Sequence, residues 1–249
     1  MRFGNREFSP RPIPTLTALV LLPILLSLGF WQLDRAEQKR EMLRQYQLQQ
    51  GESVLNLNKH AVEQEFYPYQ RVEVTGKFDS KRQFLLDNKV YQGRAGYQVI
   101  TPLLLPDNKA AVLVNRGWLP QTESRQELPA IPTPAESLNI AGQLKLDVGK
   151  GFRLGESGIH DDAWPRVVQW LDLEQIEKSL GYKVQHFVIL QNPDSPAGFV
   201  RDWYIKKISP EKNTSYAVQW FALALALVII YLVVNIHKAE EVRSKNGIE

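Results

Sequence analysis

Two long apolar runs frame this chain, and between them the alternation of apolar and polar positions changes its period. Residues 217–236 contain no charge, no Gly and no Pro. About 20 such residues at a rise of roughly 1.5 Å span a hydrocarbon core of about 30 Å, which predicts a transmembrane helix. Tyr216, Trp220 and Phe221 crowd its first turn and His237 and Lys238 follow its last, as interfacial side chains do at the two edges of a bilayer. The second run, 13–32, is interrupted only by Pro14, Thr15, Thr17, Pro23, Ser27 and Gly29. It exceeds the roughly 7 to 15 residues of a cleaved signal, and no small-x-small site follows it, so it reads as a permanent anchor. Pro14 suits a first helical turn, and Pro23 is expected to kink the span near its middle.

Past Trp31 the helical pattern continues in charged form. Asp34, Arg35, Glu37, Lys39, Arg40, Glu41 and Arg44 are interleaved with Leu33, Ala36, Leu43 and Leu48, up to Gly51 as a C-cap. The pair Glu37 and Arg40 supports a solvated helix leaving the membrane, a charged stalk or a partner-binding face. From Tyr69 the period becomes two. Arg71-Val72-Glu73-Val74-Thr75-Gly76-Lys77-Phe78 alternates and predicts a strand, followed by 83–87, 96–105 and 110–118 around a turn at 106–109. A proline-punctuated connection covers 120–134. Further strands are expected at 138–146 and 184–191, with a weaker one at 203–207. One helix interrupts them: Asp172 with Gln175 resembles a capping box, Leu173, Ile176 and Leu180 share a helical face, and Gly181 ends it.

These elements predict an α+β membrane protein. Two transmembrane helices flank a mainly antiparallel β domain outside the cytoplasm, a small barrel or curled sandwich with a short helical insert. The expected segments are a cytoplasmic N-terminus (1–12), first span (13–32), helical stalk and connection (33–66), β-rich domain (67–209), juxtamembrane segment (210–216), second span (217–236) and cytoplasmic tail (237–249). Basic residues flank both spans on both sides. What favours termini inside is a central segment of about 180 residues, long enough to translocate regardless of its charge. In a bacterium the middle is then periplasmic, and the chain lies in the inner membrane with the lipid bilayer as its first partner.

Composition narrows the chemistry. The net charge is only +3 and no dense basic stripe occurs, which argues against nucleic acid. Cysteine is absent, removing thiolate metal sites and cysteine nucleophiles, and the two methionines are too few for soft copper delivery. Gly149, Gly151, Gly155 and Gly158 match neither a P-loop nor a dinucleotide fingerprint and read as a loop. His160 beside Asp161 and Asp162 reads as a surface turn, since three adjacent side chains cannot all face one metal. His60, His186 and His237 are scattered, and no nucleophile elbow is present. Nothing here reads as an active site or a metal site, and the chain is not expected to be an enzyme.

Three mixtures of apolar and polar residues are more specific. Gly29, Trp31, Gln32 and Arg35 mark the outer mouth of the first span, with Gln32 and Arg35 at i and i+3. Gly93-Arg94-Ala95-Gly96-Tyr97 opens one strand, and Asn115-Arg116-Gly117-Trp118 closes its partner. Tyr216, Gln219 and Trp220 mark the mouth of the second span, which is expected to face the first. With Arg71 to Phe78 around Gly76, and with Tyr216-Ala217-Val218-Gln219-Trp220-Phe221, these phrases resemble the Surf1 family of cytochrome oxidase assembly proteins over nearly the whole chain.

The resemblance implies an assembly factor for haem-copper oxidase that helps insert haem a into subunit I. Haem a would be held transiently, and subunit I and the machinery that makes haem a would be the partners. It also implies a histidine ligand just before the second span. Here that phrase runs Pro210, Glu211, Lys212, Asn213, Thr214, Ser215, Tyr216, and Asn213 stands where many members carry histidine. A carboxamide is a poor iron ligand beside imidazole. Arg35, Arg94 and Arg116 are candidates for propionate or partner contacts, because guanidinium pairs with carboxylate in fork geometry. The competing readings are that Asn115 and Arg116 close a hairpin end, and that Trp31 and Trp220 are interfacial anchors. A scaffold for oxidase subunits that never touches haem is the functional alternative.

Overall fold

A computed structural model describes residues 2–3, 6–59, 65–106, 110–123, 127–148, 163–203 and 208–238. The chain divides into two compact units, Arg44–Lys207 and the pair Met1–Leu43 with Ile208–Glu249. His60, the glycines of 149–158, the turn at His160, the turn residues 107–109, residues 204–207 of the expected weak strand and the tail from 239 lie outside the described residues.

The unit Arg44–Lys207 is built on one sheet. Its strands are β3 (Leu55–Asn56), β4 (Arg71–Phe78), β5 (Phe84–Tyr91), β6 (Arg94–Leu104), β7 (Ala111–Pro120), β8 (Ser137–Lys145), β9 (Arg166–Val168) and β10 (Val184–Gln191). They run in the order β3-β4-β8-β10-β7-β6-β5-β9, and a further pairing of β4 with β6 closes five of them into a ring. That closure is short, Lys77 opposite Leu104 and Phe78 opposite Leu103. Inside the ring pack Val72, Val74, Phe78, Leu103, Val112, Val114, Ile140, Leu144, Phe187 and Ile189, drawn from all five strands. Alternation explains their direction, since every second residue of β4 turns inward.

On the outside of the ring, α2 (Leu173–Leu180) lays Ile176 and Leu180 against Ala111, Leu113, Val184 and Val188. Asp172 caps it by accepting from the Gln175 backbone N–H, and Gly181 ends it at φ 77°. Strand β7 is therefore covered on both faces, which accounts for the unbroken apolar run Ala111-Val112-Leu113-Val114. Most pairings are antiparallel, as the alternation predicts, but β7–β10, β3–β4 and β5–β9 are parallel. Trp203 belongs to no strand.

The other unit is a helical pair. Helix α1 (Pro12–Gly51) is continuous through Pro23, ends at the glycine expected to stop it, and passes from this unit into the sheet unit. Helix α3 (Pro210–Asn235) opens with proline at its first turn, where the missing N–H costs nothing, so the helix covers residues 210–216 as well as the apolar run. Both helices turn large apolar side chains outward, among them Ile13, Leu16 and Phe30 on α1 and Val218, Ile230 and Val233 on α3. With lengths of 40 and 26 residues they are sufficient to cross a bilayer, and the chain has a two-span membrane topology.

Small residues line the seam between them. Ala36, Ala217 and Ala224 are buried, and a Cβ added to Gly29 would lie 2.5 Å from the Phe221 ring. Phe221 in turn meets Phe30 edge to face with ring centroids 5.3 Å apart. At the opposite end the fully buried Asn235 accepts from the Arg11 backbone N–H at 2.7 Å and donates to the Tyr231 carbonyl, also at 2.7 Å. Its own carbonyl accepts from Ser9 N–H at 2.9 Å. Around it β1 (Arg2–Phe3), β2 (Arg6–Phe8) and β11 (Ile236–Lys238) form a small antiparallel sheet.

Candidate functional site

The outer mouth of the helical pair is held by a chain of polar contacts. Asn213, in the first turn of α3, donates through Nδ2 to Gln32 Oε1 at 2.6 Å. Its Oδ1 accepts from Lys39 Nζ, again at 2.6 Å. The next residue of α1, Arg40, donates to Thr214 Oγ1 at 3.0 Å and pairs with Glu37 at 3.0 Å. Helical geometry sets up the clasp: Gln32, Ala36 and Lys39 lie three or four residues apart and so share the face turned to α3. Hydrogen bonds of Glu211 with its own backbone N–H and with Ser209 hold the Glu211 carboxyl below the usual range.

Gln32 and Arg35 do not act together. Gln32 is turned to α3, whereas Arg35 is exposed, lies 5.9 Å over the Trp31 ring and donates to Gln38. Tyr216 and Gln219 are exposed on α3 and Trp220 is half-buried. The expected meeting of mouths is thus made through Asn213, not through Gln219 or Trp220. Lys39 and Thr214 were missed by the sequence reading. Their only local signal is polarity, two helical turns after Gln32 for Lys39 and next to Asn213 for Thr214, and Lys39 is hidden in a run of charges.

Axial haem ligation at position 213 does not fit. Both polar ends of the carboxamide are engaged, and no imidazole stands there. His186 is exposed on β10 in the other unit. Among the described residues no group of three or more His, Cys, Asp or Glu could hold a metal ion.

The remaining singled-out residues belong to the sheet unit. Arg116 on β7 is 1% exposed. Its Nε donates to Ala197 O at 2.8 Å and its terminal nitrogens to Pro132 O at 2.7 Å and Thr133 Oγ1 at 2.8 Å. The rings of Phe78 and Phe199 flank it at 4.9 and 4.8 Å. Burial, with Arg201 nearby, lowers its pKa to about 10. The guanidinium is thus held by acceptors from the connection before β8 and from the segment after β10.

The neighbours of Arg116 have similar local roles. Asn115 donates to Gln98 and accepts from the Gly117 N–H. Gly117, at φ 113°, lets the Val200 carbonyl come within 2.6 Å of where a Cβ would stand. Trp118 donates to Lys89 O at 2.8 Å and leans on Tyr91. Tyr97 is buried with Leu85 and Val99. Arg94 is exposed beside the turn at Gln92 and Gly93.

The profile of the SURF1 family matches residues 19–225, most of both helices and all of the sheet unit. A SURF1-like protein of Rickettsia felis is 28% identical over 234 residues, covering 88% of this chain and 95% of its own length. A SURF1-like protein of Monosiga brevicollis is 21% identical, covering 86% of this chain and 85% of its own length. The Surfeit locus protein 1 of Gallus gallus is 23% identical, covering 86% of this chain and 72% of its own length. With the match running from the first span to the second, the chain belongs to the SURF1 family.

Proposed function

We propose that the protein is an assembly factor for haem-copper oxidase, not an enzyme, working beside subunit I while haem a is put in place. The observation that carries this reading is the extent of the family match, which takes in both spans and the sheet between them. The sheet unit lies outside the cytoplasm, periplasmic in a bacterium, and both termini lie inside. The machinery that makes haem a is a second partner. Arg35 and Arg94, both exposed, offer their guanidinium groups to carboxylates of a partner or of haem a. Deleting the gene should lower oxidase activity in isolated membranes, and full activity in the deletion strain would refute the reading.

The clasp at Asn213 favours a second form of the same role, a scaffold for oxidase subunits that does not ligate haem. The two forms separate on one spectrum. Protein purified from cells making haem a should show no stoichiometric Soret absorbance if it is a scaffold. Stoichiometric haem would restore the carrier, with contacts other than axial ligation by residue 213.

A further inference from the structure

Two guanidinium groups of the sheet unit lie near enough to repel each other, and neither has a carboxylate. Arg201 helps to depress Arg116, and among the described residues neither arginine forms an ion pair. Arg116 is nonetheless complete, because each of its three nitrogens has an acceptor from the fold. Arg201 is half-buried and incomplete. Its Nη1 donates to the carbonyls of Asn192 and Ser195 at 2.8 and 2.6 Å, whereas its Nε is covered and meets no acceptor. Nη2 makes no bond either, and it is not covered.

The fold holds this guanidinium in one place all the same. The stem of Arg201 passes Gly117, where an added Cβ would lie 2.9 Å from its Cγ, and its head lies against Gly198, where an added Cβ would collide with the guanidinium. Backbone bonds between Trp118 and Val200 in both directions, at 2.7 and 3.1 Å, fix the residue before it. Tying down the loop 192–198 needs Nη1 alone. A cation kept beside a second cation, with one donor covered and unmet and another open, leaves a positive potential that the fold does not neutralise. Asp194 is exposed and acts on Arg201 only through space.

We propose that Arg201 anchors a carboxylate-binding site, with Nη2 donating to an oxygen of an acidic group brought by a partner protein. A charge-assisted bond of this kind is among the strong ones, and guanidinium matches carboxylate in shape as well as charge. Phosphate fits less well, because it would carry up to two charges past Asp194 and calls for several donors where one nitrogen is open. Val200, 39% exposed, offers an apolar contact to whatever flanks the acidic group. The inference deepens the scaffold reading above by naming the chemistry of one partner contact, and it rests on that reading for the partner.

The test uses the full chain in detergent, with isotopically labelled arginine side chains, titrated with acetate in exchange for chloride at fixed ionic strength. The Arg201 Nε–H resonance, recognised by its absence in Arg201→Lys, should shift along a saturating curve, and inorganic phosphate should move it less. Asp194→Asn removes a competing charge at an exposed position, so the protein should stay folded and bind acetate about twofold more tightly. A resonance unmoved by acetate, one moved as far by phosphate, or an affinity not raised by Asp194→Asn would overturn the proposal. A photo-crosslinking residue at position 200 in the native membrane reads the source of the carboxylate. Adducts should map beside an Asp, a Glu or a chain terminus of another membrane protein and fall about threefold to tenfold in Arg201→Gln. Absent protein adducts, or a yield unchanged by Arg201→Gln, would overturn the partner. A flat acetate titration beside lost oxidase activity in the deletion strain would refute this site and keep the assembly role. A saturating titration with the expected adducts, beside full oxidase activity, would do the reverse.

Discussion

A guanidinium buried without a carboxylate must be solvated by the protein itself, and Arg116 is solvated by two backbone carbonyls, a threonine hydroxyl and two aromatic rings. Removing it takes a charged donor from the part-buried contacts with Ala197 O, Pro132 O and Thr133 Oγ1, and hydrogen bonds of charged groups are worth about 1.5 to 3 kcal/mol each. Arg116→Ala should therefore lower unfolding stability of the protein by about 3 kcal/mol or more, read as a shift in denaturant midpoint. Lysine should not rescue it, since one ammonium cannot replace the fork. The sequence pointed to Arg116 but could not tell a ligand contact from a fold contact. Its partner Ala197 lies 81 residues away, and a backbone carbonyl leaves no trace in residue type.

Tyr182 gives a pH signature. Burial, then the hydrogen bond to Asp79, holds its hydroxyl well above the usual phenol range of about 10. The unfolded chain gives up this proton first, so above pH 10 the folded state binds more protons and stability falls as pH rises. Arg116 works the other way from about pH 10 upward, because its folded-state pKa is depressed. Tyr182→Phe should be less stable than wild type at pH 8, having lost the bond to Asp79, yet lose less stability between pH 8 and 11. Urea titrations at the two pH values measure this, and an equal loss in both proteins would count against it.

At the scale of elements, periodicity located β4 and α2 because each carries its pattern locally: alternation in the strand, a cap, a spaced apolar face and a stop in the helix. The parallel pairing of β7 with β10 was illegible, since a strand buried on both faces carries no mark of its neighbour's direction. The clasp was half legible. Gln32 and Asn213 stood out, whereas Lys39 looked like one charge among many. The seam at Gly29 allows a direct trial: Gly29→Leu drives a side chain into the Phe221 ring, and the helices must part or tilt. A cysteine pair placed across the helices should then form a disulfide much less readily than in the parent, while Gly29→Ala should show a smaller loss.

For the molecule as a whole, two spans put both ends of the chain on one side. A phosphatase that folds only outside the cytoplasm should be inactive when fused after residue 249 and active when inserted at 124–126, in the connection before β8. The opposite pattern would invert the orientation proposed here. The spans were readable because a bilayer demands about 20 apolar residues of any helix that crosses it, whereas nothing local marked the residue that ties the two ends.

That residue, Asn235, accepts from a backbone N–H 224 positions earlier. The start of the first span has its hydrogen-bond partner only after nearly the whole chain has been made. Until then Ser9 and Arg11 wait with open N–H groups, and any chain ending before residue 235 never receives the partner of its own beginning. Closure of the membrane hairpin at this end therefore waits until residue 235 has been made.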